Sequence, residues 1–340
     1  MRKCIELVVH GLRLRGTVHV PPEEVSTAAC GFEGLGVVML QQGFSPRSWQ
    51  GDLAVALADA LARKGILTVR MDLPGLGDSE GDLPEDFLTL IETIQEGGLA
   101  EVACECLDRL KSQLGLRRVV LGGHCGGAIT DFFAVTSRAD SQPIGMFALD
   151  TAFQLVYAAQ PVHAAQSAAT SVGRPVAQET WSLRREVLRQ EIRTALLSTR
   201  LGGPLQKAAQ EIRNILRPMR SDRRLSPGQP SPEGKGLAPD PAQLPPQANL
   251  RLLECIQKVL RSGMPLLFVD AYDPAKPSEF NFLEYILSSC PGRASHKRIF
   301  GTNHGFIAAD GKFKLIECVT EWVTREFRDP NHDHPARHGN

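Results

Sequence analysis

No Cys-x-x-Cys pair occurs among the eight cysteines of this 340-residue chain, which removes the commonest zinc and dithiol frameworks. Cys104 and Cys106 lie two apart in a helix-like stretch, so they point to different faces and make a poor metal pair. Scattered thiols without a spacing framework suit a reducing cytoplasm, and neither a metal nor another cofactor is expected. The chain also lacks an uninterrupted apolar run of the roughly 20 residues that a membrane span needs. It lacks the marks of a signal peptide: the basic start at Met1-Arg2-Lys3 soon meets Glu6, and no small-residue cleavage site follows an apolar core. Net charge is missing too. Thirty-eight Lys and Arg balance 38 Asp and Glu, so the molecule as a whole is not built to bind nucleic acid. Hydrophobic content of 42% and charged content of 22% are ordinary for a soluble globular protein.

What is present is an alternation of strands and helices. Residues 7–10 and 12–20 read as an opening antiparallel hairpin. Short apolar strands follow at 36–40, 66–71, 118–121 and 145–149, separated by helical patterns at 52–64, 87–114 (broken near Gly97-Gly98) and 128–137. The pattern resumes with strands at 265–269 and 296–300 and helices at 279–288 and 312–327. Such alternation predicts a mostly parallel central sheet with helices on both faces.

Residues 152–250 contain no convincing strand. Helical patterns occupy 181–199 and 205–216, with Leu183, Val187, Leu188, Ile192 and Leu196 near one face of the first. The stretch from Pro218 to Pro246 inclusive holds eight prolines among Ser, Gly and charges, a composition that resists regular structure. The organisation expected is therefore a core in two parts, 1–151 and 251–328, an inserted helical lid with a Pro-rich segment at 152–250, and a polar tail at 329–340. That tail holds His332, His334 and His338 but reads as disordered rather than metal-binding. From 184 to 224 there are 11 Lys or Arg against 4 Asp or Glu. This is either a solvated helical face or a basic surface for an anionic partner, such as a phosphopantetheine carrier or an acidic polysaccharide.

The run Val119-Val120-Leu121-Gly122-Gly123-His124-Cys125-Gly126-Gly127-Ala128 carries the chemistry. A β-branched stretch enters Gly-x-Cys-x-Gly and a helix follows, the context of a nucleophile elbow with cysteine in the place of serine. Gly123 and Gly127 would let strand and helix approach closely. Cys125 would sit in a sparsely allowed backbone region at a helix N-terminus that favours thiolate. In such a sheet the acid follows a late strand and the histidine the last one. Here 266–269 runs into Asp270-Ala271-Tyr272-Asp273, and 297–300 runs into Gly301-Thr302-Asn303-His304-Gly305-Phe306. Cys125, Asp273 and His304 thus occur in the expected order, each beyond a strand end. Asp270 is the alternative acid and Asp150, after the preceding strand, a further rival. His304 would take the thiol proton or hold the thiolate as an ion pair, and the acid would fix its tautomer. The oxyanion hole would use the amide of Gly126 and that of Phe44, in the turn after strand 36–40.

The segments Gln42-Gly43-Phe44, Asp72-Leu73-Pro74-Gly75-Leu76-Gly77-Asp78-Ser79-Glu80-Gly81, the elbow and Asn303-His304-Gly305-Phe306 together resemble the α/β-hydrolase superfamily, over roughly 10–150 and 250–328. The resemblance implies that fold, and a structural role for Asp78. More loosely, the cysteine elbow, the Gly-Asp-Ser loop and Asp273 followed by Glu279-Phe280 are similar to the exosortase-associated hydrolases.

The chemistry expected is acyl transfer through a Cys125 thioester: hydrolysis of an ester or thioester, free or carrier-bound, or passage of the acyl group to an amine, thiol or alcohol. A hydrolase fold used only for binding would lack a triad member, and no member is missing. The acyl group, the acceptor, the pathway and the oligomeric state are not written in the sequence.

Overall fold

The computed structural model describes residues 1–25, 27–84, 87–138, 142–155, 244–272, 281–289 and 294–329. Those residues belong to the compact unit Met1–Ala159 with Leu237–Asn340; the other unit, Gln160–Gly236, falls outside them. The expected lid helices and Pro-rich segment therefore lie outside the described residues, as does most of the tail.

The elements run β1 (Arg2–Val9), β2 (Leu12–His19), β3 (Leu35–Leu40), α1 (Leu53–Arg63), β4 (Leu67–Met71), α2 (Phe87–Gln95), α3 (Ala100–Leu114), β5 (Arg118–His124), α4 (Gly126–Ser137), β6 (Gly145–Leu149), α5 (Leu250–Arg261), β7 (Leu266–Tyr272), α6 (Phe282–Ser289), β8 (Ala294–Phe300) and α7 (Ala309–Phe327). The strands form one sheet in the order β1-β2-β4-β3-β5-β6-β7-β8. β1 and β2 pair antiparallel, as do β2 and β4; every later pair is parallel. The opening hairpin turns at His10 and Gly11, both with positive φ, which matches the right-handed twist of the strands it joins.

The central strands are apolar runs because both faces are covered. All residues of β3 and of β6 are buried. Alternate side chains serve separate cores. Val38, Leu40, Val119, Leu121, Met146 and Phe268 pack with α2 to α6. Val37, Met39, Val120, Phe147, Leu267 and Val269 pack with α1 and α7.

Two strand ends differ from the sequence expectation. β7 continues through Tyr272, with Asp270 opposite Arg298 and Tyr272 opposite Phe300, so Asp270 is a strand residue and not the start of a loop. β8 begins at Ala294, ahead of the apolar residues that mark it in the sequence.

The chain leaves the sheet after β6 and returns before α5 through one narrow neck. Gln154 and Ala248 form an antiparallel bridge. Leu155 N donates to Gln247 O at 2.7 Å and Asn249 N to Phe153 O at 2.8 Å. Asn249 also caps α5, its Oδ1 accepting from Leu252 N at 3.0 Å, while its Nδ2 donates to Gln95 O at 2.8 Å. Gln95 returns a bond from Nε2 to Gln154 O at 2.8 Å.

Candidate active site

Cys125 stands between β5 and α4 with φ 52° and ψ −115°, a strained conformation for a residue with a Cβ. The surroundings over-determine it. Cys125 N donates to Leu149 O at 2.9 Å, and Cys125 O accepts from Ile129 N at 3.2 Å, opening the helix. A Cβ on Gly123 would collide with the backbone of Ala128, and one on Gly127 with the carbonyl of Gln41. Both glycines thus permit the close approach the sequence suggested. The Cys125 side chain is half-buried and carries a free thiol.

His304 lies in the turn after β8, just before Phe306, which is fully buried at φ 49°. That turn is closed by Phe306 N donating to Asn303 O at 2.8 Å and Ile307 N to Asn303 Oδ1 at 3.2 Å. His304 Nδ1 meets Asp150 Oδ2 at 2.6 Å. The ring is also coupled electrostatically to the Cys125 sulfur, and with Nδ1 engaged by Asp150 the nitrogen left to serve the sulfur is Nε2. Burial works against the protonated ring. The charge on the Cys125 sulfur and the bond to Asp150 outweigh it and hold His304 well above the ordinary histidine range. The side chains of His304 and Asp150 remain 34% and 21% exposed, so the cluster is reachable from solvent.

The carboxylate at this imidazole is therefore Asp150, the rival that ranked behind Asp273 and Asp270 in the sequence. Asp150 directly follows β6, the neighbour of β5, at φ 41°. Its amide donates to Val269 O at 2.8 Å, and its Oδ1 accepts from Ala271 N at 3.2 Å. Asp273 lies outside the described residues. Asp270 is engaged elsewhere, with Oδ2 at 3.0 Å from His296 Nε2. Desolvation pushes its carboxyl up, against the pull of His296. The reason for its displacement is the longer β7, which keeps Asp270 within the sheet.

The turn after β3 lies against the elbow. A Cβ on Gly126 would come 2.7 Å from Gly43 Cα, so the backbones that carry the Phe44 and Gly126 amides are neighbours. Gln42 Oε1 accepts from Gln50 N at 3.0 Å, and Gln41 Oε1 from Leu73 N at 3.2 Å, which anchors the turn. Asp78 takes part in an ion-pair cluster with Arg47 and the buried Asp72.

One participant escaped the sequence reading. His124, next to Cys125, is fully buried, and its Nε2 lies 2.7 Å from the carbonyl oxygen of His304. Its only sequence signal is a polar residue ending an otherwise apolar strand. Among the described residues no group of three or more His, Cys, Asp or Glu is arranged to hold a metal, and no helix is long and apolar enough to cross a membrane.

No curated protein sequence matches the chain. Solved structures do. The alpha/beta hydrolase GrgF from Penicillium sp. sh18 shares 16% identity at a TM-score of 0.53, over 96% of this chain and 99% of that one. A thermophilic esterase from Thermogutta terrifontis shares 16% at 0.50, over 96% and 99%. The thioesterase domain from the curacin biosynthetic pathway shares 16% at 0.50, over 94% and 99%. At these identities the likeness is one of fold. The sequence model of the alpha/beta hydrolase family matches residues 8–306, a span that includes the elbow, Asp150 and His304, and the chain belongs to that family.

Proposed function

We propose that the protein is an acyl-transfer hydrolase of the thioesterase or esterase type, working through a Cys125 acyl-enzyme with His304 as base and acid and Asp150 as the orienting carboxylate. The observation that carries this reading is the strained Cys125 elbow after β5 with the imidazole of His304, bonded to Asp150, coupled to its sulfur. Nδ1–H donates to Asp150, which fixes the tautomer and turns Nε2 to the sulfur. The thiol proton passes to Nε2 and the thiolate attacks the carbonyl carbon of the substrate. A C–S bond forms while the C=O π electrons move onto oxygen. That oxyanion is held by the Gly126 amide and, from the adjoining turn, the Phe44 amide. Collapse breaks the bond to the leaving thiolate or alkoxide, which takes the proton from His304. Water, deprotonated by the same nitrogen, then releases the acid and restores the thiol.

The structural neighbours described as an esterase and as a thioesterase domain lend the substrate class. Seven cysteines among the described residues are free thiols, which supports a cytoplasmic setting.

The test is intact mass after incubation with a panel of acyl thioesters. Wild type gains one acyl mass that maps to Cys125 and is released by hydroxylamine, and Cys125→Ala gains none. Equal turnover by wild type and Cys125→Ala would sink the reading.

A further inference from the structure

The His124 ring is fully buried between Trp49, His304 and Phe306, with ring centroids 5.7, 5.0 and 5.8 Å away. Its Nε2 lies 2.7 Å from the main-chain oxygen of His304. A carbonyl oxygen only accepts, so Nε2 carries the proton. Nδ1 meets no partner among the described residues, which leaves it as the unprotonated nitrogen of a neutral ring. Both ends of this bond belong to the site: His124 directly precedes Cys125, and the acceptor is the main chain of His304. The contact therefore joins the end of β5 to the turn after β8, 180 residues apart, at the points where each presents its reacting group.

We infer that His124 is a positioning residue, a neutral tether whose Nε2–H sets the separation between the Cys125 sulfur and the His304 imidazole. The turn that carries His304 is seated at its ends by Gly301 N, which donates to Tyr272 O at 3.0 Å, and by the fully buried Phe306. The neighbouring Asn303 and Phe306 bond to each other, which shapes the turn without tying it to the elbow. Of the contacts described for the two segments, only that of His124 binds the His304 main chain directly to the strand bearing the thiol. Displacement of a reacting pair by about 1 Å is enough to cost on the order of 100-fold in rate.

The inference rests on the acyl-transfer reading, and its test separates the two. His124→Phe keeps an aromatic ring and removes the donor. His124→Gln restores an N–H of similar reach. With p-nitrophenyl acetate as the probe, His124→Phe should lose about 10- to 100-fold in kcat with KM within about twofold. His124→Gln should recover to within about threefold of wild type. Alkylation of Cys125 by iodoacetamide at pH 7 should follow the same order. If wild type does not turn over the ester, the acyl-transfer reading fails, and the alkylation series still decides the tether. Histidine nitrogen NMR of the wild-type protein tests it without any variant: one ring should stay neutral and Nε2-protonated at pH values where an ordinary histidine is already charged. Wild-type kinetics and alkylation in His124→Phe, a Gln variant as impaired as Phe, or a Nδ1-protonated His124 would each overturn it.

Discussion

At the scale of single residues, the site depends on which carboxylate faces His304, and two substitutions separate the candidates. Asp150→Asn keeps the shape but loses the charge that holds the imidazole in its tautomer. Its kcat should fall by on the order of 100-fold or more, and the His304 titration followed by NMR should move to lower pH, because one of the interactions raising it is gone. Asp270→Asn breaks a bond to His296 instead and should leave kcat within about threefold; the reverse ranking would displace Asp150 from the site. The thiols divide in the same way. Burial pushes Cys106 up to about 12, so in the native protein iodoacetamide should label Cys125 and spare Cys106, as read by peptide mapping.

At the scale of elements, the elbow works because a strand and a helix touch. Gly123→Ala would drive its Cβ into the Ala128 backbone, which cannot swing aside as a side chain can. The denaturant midpoint should report a loss of about 1–3 kcal/mol, with activity falling as the turn reopens. Gly115→Ala, at the C-cap of α3 with φ 65° and nothing nearby to strike, should cost only about 1 kcal/mol, and equal losses would deny the close approach its importance. The elbow, the helices and the buried strands were legible because local patterns specify them: a β-branched run, glycines at fixed offsets, apolar residues at helical spacing. The gap at Gly97-Gly98 correctly separates α2 from α3. The carboxylate that bonds the His304 ring was not legible in the same way. Asp270 reads as a loop residue since polar residues commonly end strands, yet β8 continues beside it and supplies His296 and Arg298 as partners. Asp150 meets His304 across 154 residues, a contact set by strand order in the sheet rather than by any neighbouring sequence. His124 was passed over for a related reason, since a buried bond to a main-chain oxygen leaves no motif.

At the scale of the whole molecule, buried histidines make stability depend on pH. Burial, and then the neighbouring His304 charge, hold His124 well below the ordinary histidine range, and burial lowers His19 as well. Below about pH 6.5 the unfolded chain protonates both rings while the native state resists doing so, so stability should rise with pH. His304, held well above the ordinary range, adds no comparable alkaline limb: its first support is the charge on the Cys125 sulfur, which exists only once that sulfur has given up a proton, so the pair together holds no excess of protons over the unfolded chain. Thermal midpoints should therefore climb from about pH 5 to 6.5, and a midpoint that falls over that range would contradict this arrangement. The neck at Gln154 and Ala248 has a consequence of another kind. Because the chain departs and returns side by side, whatever joins those two points closes the same short gap, and closure entropy changes only slowly with the length of the connection. The gap is a socket in the genetic sense: a connection of any size can be spliced in there without rethreading a strand. Since Asp150 stands just ahead of it in the chain, an exchange at that point leaves Cys125, Asp150 and His304 at the strand ends that hold them.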